Sequence, residues 1–336
     1  MKVWALHGFG LNQLRFEERP VPKPTANEVL IRIASVSLNY RDKLLYDGLY
    51  NPELRFPIVP VADAAGEVVE VGGAVNRFRI GDKVVTQYAT KWIDGDPQDG
   101  EYRHTLGNTI SGALAEYIVL DEQALVGKPE YLSDDEASTL PVAAVTVWNA
   151  LVCKGNLKPG DTVLLQGTGG VSIFALQLST ALGAKAIVIS SSDEKLRRVQ
   201  ELGAAHGINY SRFPEWQEKV LELTDQRGVD HVMDVVGGES LNRSLKATRP
   251  GGNVFAIGLL DGLTSTVELF RLLTKQVNIQ GITTGSRAMF EKMNKTLTQL
   301  KLRPVIDSVY PFANALSAFH HLERGAFGKI VIRVRS

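Results

Sequence analysis

The chain has 336 residues, of which 44% are hydrophobic and 22% are charged, and its 37 basic side chains are balanced by 37 acidic ones. This length predicts about two domains, and the zero net charge argues against a nucleic acid or a membrane surface as a partner. No apolar run approaches the length of a bilayer span, and the first residues lack the apolar core of a signal peptide, so we expect a cytoplasmic protein. The one cysteine, Cys153, excludes an intrachain disulfide, and its apolar surroundings in the sequence predict a buried thiol.

Short strands separated by turns predict a small barrel-like domain in residues 1–122. Val29, Ile31 and Ile33 alternate with polar or small residues, and a further strand is predicted over residues 113–120. The stretch before it is polar and contains glycines, which is typical of a loop.

Near residue 134 the pattern changes to alternating helices and strands, which predicts a doubly wound parallel sheet with right-handed crossovers. We assign residues 123–272 to this α/β domain. Residues 273–336 are expected to return mainly to the first domain, although 277–281 could supply the last strand of the parallel sheet. We predict one helix in this last segment, over residues 313–324, and a strand that ends the chain.

The stretch from Thr162 to Ser192 predicts a dinucleotide-binding unit. An apolar strand runs into Gly167, and Gly169 opens a helix-patterned segment that leads to a second apolar strand. The first glycine permits a tight turn, and the second lets backbone N–H groups approach a phosphate at the positive end of the helix dipole. Ser172 occupies the position of the third glycine.

The second strand of this unit ends in Ser190, Ser191 and Ser192, where a site for NAD usually has an acidic residue that accepts from the ribose. Small hydroxyls and the nearby Lys195 suit a 2′-phosphate, so we expect NADPH to be preferred over NADH. The alternative is that the serines only cap the helix that begins near Asp193.

Several short motifs, in their order and spacing, resemble those of the medium-chain dehydrogenase/reductase superfamily, and specifically its zinc-free, quinone-oxidoreductase-like branch. The motifs are Ser37–Asp42, Gly48–Tyr50, Ala65–Val68, Gly81–Val84, Gly112–Tyr117, Gly167–Val171 and Gly328–Val331. The resemblance implies a Rossmann domain inserted into a discontinuous, β-rich, barrel-like (GroES-like) catalytic domain. It also implies an active site in the cleft between the two domains.

The chain departs from the zinc-containing members at the metal ligands. They carry a ligand cysteine where this chain has Asn39, and a Gly-His-Glu triplet where it has Val61, Ala62 and Asp63. Alanine offers no donor atom to a metal, and Leu140-Pro141 supplies no thiolate for the third ligand. We therefore expect no metal at this site.

Without a metal, the negative charge that develops on a substrate oxygen after hydride transfer needs hydrogen-bond donors. The resemblance implies that Tyr50 donates a proton in the cleft and that Asn39 presents its amide there, although Tyr50 could equally be a lid that shapes the pocket. Tyr40, Trp92 and His104 are candidates for the substrate pocket, with barrel packing the favoured alternative for Tyr40.

The resemblance also implies the residues that hold the cofactor. Lys195, Tyr210 and Arg324 match positions that bind the 2′-phosphate, and Thr146 matches a threonine on the nicotinamide side. The remaining candidates follow the carboxyl ends of strands, where binding crevices form. They are Gly167, Thr168, Gly169, Gly170, Val171, Gly237 and Gly258.

The favoured interpretation is an NADPH-dependent reductase that transfers hydride to a quinone or an α,β-unsaturated carbonyl. One alternative is an NADP(H)-dependent alcohol or aldehyde oxidoreductase. Another is a non-catalytic, NADPH-binding structural protein. We expect a small-molecule substrate. The resemblance implies a homodimer in which two Rossmann sheets pair edge to edge, and the exposed strand 277–281 could form that edge.

Overall fold

The computed structural model describes residues 1–98 and 100–335, and the chain forms two compact units. The split unit contains residues 1–145 and 284–336, and the inserted unit contains residues 146–283. The predicted boundaries, at residues 122 and 272, differ from these. One reason is that residues 125–127 form a strand that pairs within the sheet of the split unit.

The elements of the described residues are as follows. The strands are β1 Lys2–Leu6, β2 Leu14–Glu18, β3 Glu28–Leu38, β4 Asp63–Val71, β5 Lys83–Thr86, β6 Tyr117–Asp121, β7 Leu125–Gly127, β8 Thr162–Gln166, β9 Lys185–Ser190, β10 His206–Asn209, β11 Val229–Asp234, β12 Thr248–Ala256, β13 Asn278–Gly281, β14 Ile306–Pro311 and β15 Lys329–Arg333. The α-helices are α1 Tyr40–Tyr46, α2 Asp134–Ser138, α3 Val145–Val147, α4 Gly170–Ala181, α5 Asp193–Glu201, α6 Trp216–Leu223, α7 Ser240–Ala247, α8 Leu269–Lys275, α9 Arg287–Leu300 and α10 Ala315–Arg324. Short 3₁₀ turns lie at Leu11–Gln13, Glu101–Arg103, Glu122–Ala124 and Phe312–Asn314, and π-helical segments at Leu140–Ala144 and Trp148–Lys154.

The inserted unit is built on a parallel sheet with the strand order β10-β9-β8-β11-β12-β13 in the described part of the chain. Leu164 on the central strand β8 pairs with Ile187 on one side and Val232 on the other. The continuous apolar run of β8 is fully buried, as expected for a parallel strand covered on both faces. The predicted doubly wound parallel sheet is confirmed.

The split unit is built on a mostly antiparallel sheet with the order β14-β15-β3-β4-β5-β7, and β6 also pairs with β3. The long strand β3 is central because it pairs with strands from both ends of the chain. Ile330 on β15 faces Leu38 on β3, so the last strand returns to the first part of the chain as predicted. This places Lys329, the first residue of β15, beside the residues that follow β3.

Several local predictions were wrong. The last segment contains the fourteen-residue helix α9 and the strand β14 in addition to the predicted helix, now α10. Ser286 caps α9, and Phe290, Met293 and Leu297 give it a buried face with helical spacing, so the sequence carried this signal. Cys153 is exposed at the end of the segment 148–154 and not buried.

None of the helices within residues 1–98 and 100–335 combines the length and the apolar character that a membrane crossing needs. The cytoplasmic location stays a prediction.

Candidate functional site

The glycine turn after β8 is open at the start of a helix. Gly167 has φ 72°, a left-handed conformation that glycine adopts without strain, and its N–H donates to the carbonyl oxygen of Ile189 at 2.8 Å. Gly169 is the N-cap of the twelve-residue helix α4, and a Cβ built on Gly167 or Gly169 meets no heavy atom within 4 Å. Backbone N–H groups at the positive end of a helix dipole, with open space above the glycines, fit a pyrophosphate.

The position of the third glycine has a local structural use. The Ser172 hydroxyl donates to the carbonyl oxygen of Gln166 at 2.7 Å, which ties the first turn of α4 to the end of β8. Thr168, within the turn, is buried, while Gly170 and Val171 form the start of the helix and are half-buried. The predicted turn residues therefore lie together.

Two residues that the sequence analysis missed brace the same edge of the sheet. The Gln166 amide oxygen accepts from the backbone N–H groups of Val235 and Val236 at 3.2 and 3.3 Å, which links the end of β8 to the loop after β11. Asp234 accepts from the Gly237 N–H at 2.8 Å and from the Ser244 hydroxyl at 2.7 Å. Gln166 and Asp234 are the last residues of β8 and β11. A polar residue that ends an apolar strand is the sequence signal that could have identified them.

The loops after β11 and β12 approach each other at Gly237 and Gly258. A Cβ on Gly258 would lie 1.9 Å from the Val235 carbonyl oxygen, and one on Gly237 would lie 2.9 Å from the Gly258 oxygen. Only glycine permits this approach. Both predicted residues therefore lie at the carboxyl edge of the parallel sheet, where the β8 turn also lies.

The serines after β9 lie beside the residue that follows β10. The Tyr210 N–H donates to the Ser190 carbonyl oxygen at 3.1 Å, and the Tyr210 side chain is 41% exposed. Ser191 is exposed, and the Ser192 hydroxyl accepts from the Lys195 N–H at 3.3 Å, so Ser192 does cap α5. Capping uses one lone pair of the hydroxyl and is compatible with a phosphate contact.

The acid that follows the serines is already paired. The Asp193 carboxylate accepts from the Asn209 amide at 2.7 Å and from the Arg212 guanidinium. The predicted group of Ser190, Ser192, Lys195 and Tyr210 thus has a cation, Arg212, that sequence analysis did not identify.

Thr146 is the first residue of the inserted unit, and its hydroxyl donates to the carbonyl oxygen of Thr283, the last residue, at 3.3 Å. Arg324 belongs to the split unit, at the end of α10, where it lines a cavity of about 370 Å³ with His320 and Glu323. The cofactor roles of Thr146 and Arg324 stay predictions.

In the split unit, the side chain of Asn39 is held in a buried polar network. Its amide N–H donates to the Asp63 carboxylate at 2.8 Å, and its oxygen accepts from the Lys329 ammonium at 2.5 Å. The same ammonium lies 3.3 Å from the Asp63 carboxylate and donates to the Leu38 carbonyl oxygen at 2.8 Å. Burial lowers the pKa of Lys329 and raises that of Asp63, and their mutual attraction only partly offsets this.

Tyr50 is 37% exposed, and its hydroxyl lies 2.9 Å from that of the buried Tyr88. The Arg41 guanidinium faces both rings, with its central carbon 4.9 Å from the Tyr50 centroid and 5.2 Å from the Tyr88 centroid. Such geometry is that of a cation–π contact. Arg41 and Tyr88 were missed, because nothing in the sequence joins a residue of α1 to one near residue 88.

The three pocket candidates have different surroundings. Tyr40 is 39% exposed at the start of α1, and its role stays a prediction. Trp92 is in the hydrophobic core, and its indole N–H donates to the Gly95 carbonyl oxygen at 3.0 Å. His104 is half-buried, and its carbonyl oxygen accepts from the Thr90 N–H at 2.9 Å.

Comparison with known proteins agrees with this architecture. Residues 25–130 match the alcohol dehydrogenase GroES-like domain, and residues 170–299 match the zinc-binding dehydrogenase family. A zinc-type alcohol dehydrogenase-like protein of Schizosaccharomyces pombe is 40% identical over 97% of this chain and 96% of its own length. The chain belongs to the medium-chain dehydrogenase/reductase superfamily. As a member of this superfamily, it is an NAD(P)H-dependent oxidoreductase.

Two further members of the superfamily cover nearly the whole chain. The NADPH-dependent alkenal/one oxidoreductase of Arabidopsis thaliana chloroplasts is 30% identical over 99% of this chain and 79% of its own length. The solved structure of a protein from Sinorhizobium meliloti 1021 is 44% identical, with a TM-score of 0.92 over 99% of this chain and 98% of that one.

The name of one matched family implies zinc, and the residues here do not fit it. Asn39 has a neutral amide that is bonded to Lys329 and Asp63, and Ala62 is buried with no donor atom in its side chain. The Lys329 ammonium therefore already provides a cation beside Asn39 and Asp63. Across residues 1–98 and 100–335, no group of three or more His, Cys, Asp and Glu side chains could hold a metal ion.

Proposed function

We propose that this oxidoreductase is an NADPH-dependent reductase of quinones or α,β-unsaturated carbonyls that works without a metal. The observation that carries the proposal is the pair of Tyr50 and Tyr88 hydroxyls, 2.9 Å apart, on two rings that both contact the Arg41 guanidinium. A phenol that is partly exposed and hydrogen-bonded to a buried phenol is suited to proton donation.

Bound NADPH would supply the hydride. Hydride addition to a conjugated double bond leaves negative charge on the substrate, which must be protonated. We assign the proton to the Tyr50 hydroxyl. Asn39 would act mainly by holding the end of β3 and the start of α1, since its side chain is bonded to Asp63 and Lys329.

The choice of NADPH is supported by the residues after β9. Hydroxyls of Ser190, Ser191, Ser192 and Tyr210, with the Lys195 ammonium, belong to neighbouring segments at the carboxyl ends of β9 and β10. The Arabidopsis relative is named for NADPH dependence. The acid Asp193, which would repel a phosphate, is paired with Arg212 and Asn209.

A panel of quinones, enals and enones, each supplied with NADPH, tests the substrate class. We expect turnover with at least one conjugated acceptor and none with the matched saturated ketones. Turnover of saturated ketones alone would contradict the proposal.

The second candidate is an NADP(H)-dependent alcohol or aldehyde oxidoreductase. It is favoured by the name of the Schizosaccharomyces pombe relative, a zinc-type alcohol dehydrogenase-like protein. It requires another means of lowering the pKa of the alcohol where zinc is absent. Reduction of NADP by primary alcohols, unaffected by a chelator, would establish it.

We also propose a homodimer formed through the inserted unit. Strand β13 is the last strand of the parallel sheet in the described part of the chain, with an edge available for pairing. The adjacent helix α8 exposes Leu269, Phe270 and Leu273 by 64%, 76% and 71%. A second copy would cover this apolar face and continue the sheet. Light scattering at micromolar concentration tests it, and a monomer would contradict it.

A further inference from the structure

We propose that Arg41 and Tyr88 are positioning residues that make Tyr50 an effective proton donor. Tyr88 donates a hydrogen bond to the Tyr50 oxygen once that oxygen has lost its proton, and Arg41 stabilises the resulting negative charge. The inference rests on the proposed function of Tyr50 and extends it to two residues of the split unit.

The first support is the position of Arg41. Its side chain is 9% exposed, and one terminal nitrogen donates to the Asp42 carboxylate at 3.1 Å and to the Leu106 carbonyl oxygen at 3.3 Å. Its Nε and its other terminal nitrogen have no hydrogen-bond partner among the described residues. A buried donor without a hydrogen-bond partner is costly, and a negative charge on the neighbouring phenol would reduce this cost.

The second support is the balance of charge around the two phenols. Burial would lower the pKa of Arg41, but the neighbouring negative groups, the Asp42 carboxylate among them, outweigh it, so its pKa is raised. Arg41 therefore stays cationic. Asp42 also accepts from the Asn39 N–H at 2.9 Å, so its charge is shared with a second donor.

The third support is that Tyr88 remains a donor. Its side chain is 3% exposed, and burial raises its pKa although the Arg41 charge acts in the opposite direction. Tyr88 therefore keeps its proton at neutral pH. Tyr50, which is more exposed, can exchange its proton with water.

The proton transfer balances without a further reactant. The Tyr50 O–H bond breaks, a new bond forms between that proton and the substrate anion, and the electron pair stays on the Tyr50 oxygen. This oxygen then accepts from Tyr88, with the Arg41 guanidinium over the Tyr50 ring, until a proton from water restores the phenol.

Steady-state kinetics of Tyr88→Phe test the inference, because this change removes one oxygen atom and keeps the ring. We expect kcat to fall about tenfold, the contribution of one hydrogen bond to a charged group, with KM for NADPH unchanged. Activity requires protonated Tyr50, so the alkaline limb of the kcat profile should move to higher pH when the phenolate loses a stabilising donor. Tyr131→Phe is the control, because its hydroxyl bonds to the carbonyl oxygens of Leu297 and Leu302.

The charge of Arg41 is tested by Arg41→Gln and Arg41→Lys. The glutamine variant should lower kcat and move the alkaline limb to higher pH, and the lysine variant should restore the limb because it keeps a cation. In a Tyr50→Phe background, Tyr88→Phe should have no further effect. If Arg41→Gln does not fold, Tyr88→Phe decides the question.

The two proposals fail in different ways. If Tyr50→Phe leaves kcat unchanged, the proposed role of Tyr50 is wrong. If Tyr50→Phe slows the enzyme, but Tyr88→Phe changes neither kcat nor the pH profile, only the positioning role is overturned.

Discussion

The Lys329 ammonium donates to the Asn39 side-chain oxygen at 2.5 Å, and so joins residues 290 positions apart in the chain. It also lies 3.3 Å from the Asp63 carboxylate, which is fully buried. One cation therefore connects the last strand of the chain to both β3 and β4.

Lys329→Met should destabilise the split unit strongly, because it leaves the buried Asp63 carboxylate without its cation. Removing one partner of a buried pair typically costs about 3–5 kcal/mol. Denaturant unfolding measures the loss, with the exposed Lys292→Met as the control. In the double variant, Asp63→Asn should recover part of the lost stability, because the buried carboxylate is no longer present. If the effects of the two substitutions on the free energy of unfolding simply add, Lys329 and Asp63 are not coupled.

Purified protein should contain substoichiometric zinc, and a chelator should leave turnover unchanged. The reason is chemical: the neutral Asn39 and the donor-free Ala62 stand where zinc-containing members have ligands. Metal analysis by mass spectrometry checks this. Stoichiometric zinc, with activity abolished by the chelator, would disprove the metal-free reading.

Lys195→Ala should weaken NADPH and leave NADH nearly unaffected, since only NADPH has a 2′-phosphate for the ammonium to contact. The unmodified protein should prefer NADPH by at least about tenfold in kcat/KM. Kinetics with both cofactors measure this, and Lys185→Ala, at the opposite end of β9, is the matched control. Equal use of both cofactors by the unmodified protein would leave the serines as a helix cap only.

Gly258→Ala should lower both stability and NADPH affinity, because its Cβ would lie 1.9 Å from the Val235 carbonyl oxygen. Forcing backbone apart in a packed region typically costs about 1–3 kcal/mol. Gly127→Ala is the control, as a Cβ there meets no heavy atom within 4 Å. Thermal unfolding with and without NADPH separates the two effects. An unchanged melting temperature would show that the loops after β11 and β12 separate easily.

Stability should fall as the pH drops below about 6.5, the ordinary pKa of histidine. Burial lowers the pKa of His231 in the folded protein, although Asp161, 3.2 Å away, favours the charged form. As the pH falls, the unfolded chain therefore binds this proton before the folded protein does. Proton binding stabilises the unfolded chain, so the free energy of unfolding falls. Thermal unfolding between pH 5.5 and 7.5 should show a smaller pH dependence in His231→Gln than in the control His320→Gln, an exposed position. Equal slopes would assign the pH dependence to other groups.

The sequence predicted those parts of the fold that depend on local pattern. Apolar runs punctuated by glycine identified the parallel sheet, and Gly167 identified its turn, because both signals are contained within a few residues. Helix α9 was missed despite its helical spacing, since only its cap, Ser286, and three apolar residues marked it. The strand predicted over residues 113–120 is observed as β6, Tyr117–Asp121. Its start, like the bounds of the π-helical segments, depends on tertiary contacts that a local pattern does not contain.

The candidate site could be predicted only residue by residue. Tyr50 and Asn39 were identified through a resemblance, but their partners Tyr88 and Lys329 come from distant strands or loops. No spacing rule relates residue 50 to residue 88 or residue 39 to residue 329. Such pairs are set by sheet register, as in the pairing of Ile330 with Leu38.

The hydrogen bond between Thr146 and Thr283 has a consequence for how this gene could be rearranged. The chain enters and leaves the inserted unit at adjacent points, with the Thr146 hydroxyl 3.3 Å from the Thr283 oxygen. A segment with adjoining ends can be excised, exchanged or circularly permuted without stretching its host. We expect residues 146–283 to fold as a separate polypeptide, and their removal to leave two host ends that a short linker can rejoin.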